Sequence, residues 1–217
     1  MFNHTRSVQT NSILWQVLAF VIVGLSFSNA YAARWYHVEV IVFKHLSDEL
    51  VGGEDWTSQE RLPNFATAVE LDGPEEAGET RQGVNAVSNR TYYLRGVYDR
   101  LAASARYKPV IHKAWSQPGY SANNVRRIYL SNDPRGANSD AEPAINLNSS
   151  EDIVEGTIGL QGGRLLHVGA NFVYRGQDLT TKISEFRQIK LKQLHYFDHP
   201  LFGILVRVVP YKVESAE

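Results

Sequence analysis

Apolar and polar residues alternate with period two along much of this chain. Over "RWYHVEVIVF" (34–43), Tyr36, Val38, Val40 and Val42 point one way, and Trp35, His37, Glu39 and Ile41 the other. That period predicts a strand with its valine face buried, and the β-branched content argues against a helix. The period changes over 90–107. Leu94, Val97, Tyr98 and Leu101 fall at i, i+3, i+4 and i+7, which predicts a helix with one apolar face, weakened at Gly96. Alternation resumes in "YKPVIHKAW" (107–115), a predicted strand with Pro109 near its start, and in the short "NVRRIYL".

The segment 152–175 reads as a hairpin, with Gly162 and Gly163 supplying the positive φ angles of a tight turn. Residues 181–197 read as one longer strand, and 202–213 as a last, strongly apolar one. The two are joined by "DHPL" and expected to pair antiparallel. Residues near 44–90 and 131–150 are polar and rich in Gly, Pro and acids, and are expected to form flexible loops. The fold class expected is α+β: a single domain with one mainly antiparallel β-sheet and at least one covering helix.

The first 32 residues stand apart. A polar start carrying Arg6 precedes the apolar run 13–27, and Ala30 and Ala32 offer small residues for cleavage. This reads as a secretory signal peptide, 1–32, followed by a working domain, 33–217. The run is short for a helix spanning a bilayer, so no stable membrane anchor is expected after cleavage. The destination expected is an oxidising compartment, yet the chain has no cysteine. Stability must therefore come from a packed core. Thiol catalysis, cysteine-ligated zinc and lipid attachment to cysteine are excluded. The net charge of −1 gives no field to attract nucleic acid.

Candidate chemistry is densest in "LHYFDHPLFG" (194–203). His195, Asp198 and His199 form H-x-x-D-H, three groups able to ligate a divalent ion if they converge. On a strand they would splay, and an Asx turn at Asp198 with Pro200 fixing the exit explains the segment as a corner. No metal or other cofactor is expected. No nucleophile elbow, phosphate loop or dinucleotide fingerprint occurs. Glu39, Glu155, Glu185 and Asp198 are the carboxylates from which a hydrolase pair would have to come. No catalytic residue is assigned.

Basic residues gather late in the chain, in and around the predicted 181–197 strand. Arg164, Arg187, Lys190 and Lys192, with Tyr174, His195 and Tyr196, are the candidate ligand-binding residues. The cations would meet anionic groups and the rings flat apolar ones. The plain alternative is a solvated face whose lysines discourage edge pairing.

Five segments in order, "RWYHVEVIVFKH", "EDW", "YKPVIHKAWSQP", "GTIGL…GRLLHVGANFVY" and "LHYFDHPLFGILVRVVP", resemble the CsiV (cell shape integrity) peptidoglycan-binding family. The likeness spans nearly all of the chain after residue 33. Two positions depart from the family pattern: Gln193 stands where an acid precedes "LHY", and Gln188 follows Arg187 where a second arginine is expected. The resemblance implies a soluble, non-enzymatic periplasmic protein that binds peptidoglycan and supports its synthesis. It also implies work beside a penicillin-binding protein and its outer-membrane lipoprotein activator. A protein-interaction adaptor with indirect wall binding, or a peptidoglycan hydrolase, are the competing readings.

Overall fold

A computed structural model describes residues 34–46, 63, 65–71, 83–133, 152–176 and 179–211, all within one compact unit. The signal-peptide reading, Trp56 and most of the acidic loops lie outside the described residues. The alternating segments form strands, as their period requires, but these divide between two five-stranded sheets.

The first sheet runs β3 (Asn85–Ala86), β4 (Tyr107–Pro118), β1 (Trp35–His45), β10 (Phe202–Tyr211), β9 (Leu194–Asp198), all antiparallel. The second runs β2 (Val69–Glu70), β5 (Arg127–Ser131), β6 (Ile153–Gln161), β7 (Leu166–Arg175), β8 (Thr180–Ile189), antiparallel except for the parallel β2–β5 pair. The inner faces form one core, in which Val38, Val40 and Val206 meet Ile158, Val168 and Phe172. Burying a side chain of this size contributes about 1.5–3 kcal/mol.

The first sheet is covered on its other side as well. The one α-helix among the described residues, α1 (Arg95–Ala102), lays Val97, Tyr98 and Leu101, with the preceding Leu94, over Ile41, Phe43 and Leu205. This is the apolar helical face the spacing predicts. It explains why β1 is buried along both faces from Tyr36 to Phe43. The α+β class with a covering helix stands.

The stretch read as one strand over 181–197 is two. β8 ends the second sheet; the chain turns at 190–193, where Lys192 takes φ 65°, and β9 joins the first. β9 and β10 pair antiparallel across "DHPL", as expected. The turn at Gly162 and Gly163 works differently from the sequence expectation. Gly83 is the only described glycine at positive φ. Gly162 is instead required by close approach, because a Cβ there would lie 2.9 Å from the backbone of Gly119.

Candidate functional site

Register places two turns side by side. Leu166, which opens β7, pairs with Ile189, which closes β8, so the 162–165 and 190–193 turns share one end of the sandwich. Both are fixed by backbone bonds. Gly162 N donates to Tyr120 O (2.7 Å), and Lys192 N donates to Val208 O (2.8 Å). His195 folds back, its Nε2 lying 3.1 Å from Lys190 N and 3.0 Å from Lys190 O. Arg164, Lys190 and Lys192 are therefore held exposed together, beside the exposed Leu165 and Leu191. Arg34 joins this end, since its carbonyl accepts from Gly119 N, next to Gly162. No carboxylate occurs in 159–168 or 187–196. The end is a cationic surface with apolar residues between the charges, suited to an anion that carries some apolar surface.

The other four candidates lie apart from it or serve the frame. Arg187 points between the sheets. Its guanidinium lies 4.4 Å over the Phe197 ring, donates to Tyr196 O (2.9 Å) and pairs with Glu185, closing the seam between edge strands β8 and β9. His195 holds the 190–193 turn, as above. Tyr174 faces inward at the opposite end, stacked on Phe202 and bonded to Asp152. Burial, and then Asp152, push its hydroxyl pKa well up. Asp152 also takes a 2.8 Å bond from Lys44, tying the two sheets together there. Tyr196 lies on the outer face of the first sheet, stacked on Phe43 across Gly203, with its hydroxyl on Asp198. His195 and Tyr196 thus leave opposite faces of β9.

The H-x-x-D-H segment is organised as a corner. His199 Nε2 is 2.9 Å from Thr181 Oγ1, its Nδ1 accepts from Leu201 N (3.2 Å), and His199 N donates to Phe202 O (3.1 Å). Burial lowers the His199 pKa against the opposing charge of Asp198. Asp198 is engaged by Tyr196, where the sequence suggested an Asx turn. Among the described residues no three His, Asp or Glu side chains converge on a metal position. The four carboxylates considered for hydrolysis are each taken up separately. Glu39 is engaged by amides and His112, Glu155 by Tyr129 and Arg175, Glu185 by Arg187, and Asp198 by Tyr196. Trp115 is fully buried, its Nε1 donating to Gln117 Oε1 (2.6 Å).

One surface feature was missed in the sequence. Phe186 stands on the outer face of the second sheet, 62% exposed, with its ring parallel to that of His167 (5.2 Å between centroids, 3° between planes). Its cross-strand partner is Gly169, where a Cβ would meet only Phe186, at 3.4 Å. The signal was present: alternation along β8 puts Lys182, Ser184, Phe186 and Gln188 on one face, and Phe186 is the apolar exception among them.

No curated protein and no solved structure shows significant similarity to the chain. The family described as "Peptidoglycan-binding protein, CsiV" matches residues 14–211, which takes in every described strand, the helix and both cationic turns. With that span covered, the chain belongs to the CsiV family of peptidoglycan-binding proteins.

Proposed function

We propose that this protein is a non-catalytic periplasmic factor that binds peptidoglycan directly and supports wall synthesis and cell shape, beside a penicillin-binding synthase and its outer-membrane lipoprotein activator. Residues 1–32 are its signal peptide and 33–217 its working domain. Family membership is the observation that carries this reading. The cationic end supports it chemically: stem peptides of the wall carry carboxylates, and Arg164, Lys190 and Lys192 present donors on two turns whose own sequences hold no acid. A second reading, an adaptor that reaches the wall through another protein, draws on Leu165 and Leu191, exposed at the same end.

The test is to mix the purified protein with isolated sacculi at low and moderate salt and to follow both binding and released muropeptides. Salt-sensitive binding without release is expected. The triple variant R164E/K190E/K192E is expected to bind at least about tenfold more weakly, as loss of several charge-assisted contacts requires. Absence of binding at either salt would overturn direct recognition in favour of the adaptor. Soluble fragments would restore the hydrolase.

A further inference from the structure

We propose that the Phe186–His167 plate is a saccharide-stacking subsite that takes one amino-sugar ring of the glycan strand. The inference deepens the peptidoglycan reading and rests on it. Phe186 is the most exposed of the large hydrophobic side chains described, and it sits in mid-strand, not at a turn. Core packing does not account for its position. His167 stacks on the ring from one side, and most of the Phe186 side chain remains exposed.

Across the sheet the same rung reads Arg127, Gly159, Gly169, Phe186. Its two middle positions carry no side chain. Val125 stands over Gly159, 3.0 Å from where a Cβ would be, and Phe186 borders Gly169. The two glycines are neighbours at one strand spacing, about 4.8 Å, so the strip between these walls takes the edge of one sugar ring while the Phe186 ring meets its face. Around Phe186 the rim is polar, with Asn171 and Ser184 facing each other on one side and Gln188 opposite His167 on the other; Arg127, whose Cγ would lie 3.7 Å from a Cβ at Gly159, adds one cation at the far wall. A pyranose ring presents C–H groups on its face and hydroxyl and acetamido groups at its edge. An aromatic ring with amides and a hydroxyl around it matches both.

Direction supports the same ligand. Beyond Phe186 and Gln188 the outer face of β8 leads to Lys190, roughly 14 Å from Phe186 at about 3.4 Å per residue. A sugar on the plate would extend its peptide stem, with its carboxylates, toward Lys190, Lys192 and Arg164.

Equilibrium binding would be measured to intact sacculi and to glycan strands freed of their peptides by amidase, for wild type, F186A, F186W and R164E. Wild type is expected to bind both. F186A is expected to lose about tenfold on both, F186W to retain binding, and R164E to lose affinity for sacculi only. Because Phe186 is largely exposed, unchanged thermal unfolding of F186A is expected and separates stacking from stability. Wild-type binding to sacculi with F186A unchanged on bare glycan overturns the subsite and leaves the peptidoglycan reading standing. Failure of wild type to bind sacculi overturns both.

Discussion

Glu39 keeps its charge in a place water does not reach. Alternation alone would send it to a solvated face, but α1 and the segment before it cover that face. The carboxylate is fully buried and accepts Tyr93 N (2.7 Å) and Leu94 N (2.9 Å) at the helix N-terminus, where the backbone dipole favours an anion. His112 Nε2 lies 2.8 Å away and His37 Nε2 3.7 Å. Burial pushes the Glu39 pKa up. His112, His37 and the two amides outweigh it, and hold it at about 2, against an ordinary 4.5. The folded pKa is depressed, so its stabilisation is complete above pH 4.5 and is lost as pH falls toward 2. E39Q is expected to cost about 2–4 kcal/mol in urea unfolding at pH 7, and to flatten the fall in stability between pH 4.5 and 2. Gly203 is a second residue-scale constraint. A Cβ there would lie 2.6 Å from both Phe43 Cζ and Tyr196 Cε2. G203A is expected to lower stability by about 1–3 kcal/mol, seen as a lower Tm.

At the scale of elements, period two was enough to find β1, β4, β5 and the β6–β7 hairpin, and the i, i+3, i+4 spacing found α1. Periodicity does not reveal which sheet a strand joins. Residues 181–197 keep an alternating pattern through the 190–193 turn, so the passage from the second sheet to the first was invisible. The positive φ at Lys192 has no glycine to announce it. The same limit governed the candidate site. Arg164, Lys190 and Lys192 could be named as cations, but their meeting depends on the Leu166–Ile189 register, and Tyr174 could not be seen to face inward. The hairpin glycines give an element-scale test. A Cβ at Gly162 would press on the Gly119 backbone at 2.9 Å, whereas at Gly163 the nearest atom is 3.7 Å away. G162A is expected to destabilise by about 1–3 kcal/mol and G163A to change stability by less than about 0.5 kcal/mol, measured by denaturant unfolding.

Among the described residues, the two ends of the sandwich carry different charge patterns. Arg34, Arg164, Lys190 and Lys192 occupy one end. The other end is mixed: Asp133, Asp152 and Asp198 lie there with Lys44, Lys108 and Arg175, and the Lys44–Asp152 bond joins the sheets. The net charge of −1 gives no sign of this cationic end. At physiological salt, fields fade over about 8 Å, so only charges near a ligand matter. K190E/K192E is therefore expected to reduce both sacculus affinity and its salt dependence. D99K, a change of the opposite sign on the exposed side of α1, is expected to leave both unchanged in the same assay.

The placement of β10 also sets the order in which the chain can fold. β1 is the first described strand to be synthesised, and one of its two partners, β10, is the last. Until Phe202–Tyr211 arrive, the backbone edge of β1 stands unpaired and β9 has no strand to join. The second sheet has all its strands earlier. Contacts of such long sequence separation are reached slowly. A chain ending before Phe202 would expose one of its most apolar strands along an open edge, the condition that favours aggregation over folding.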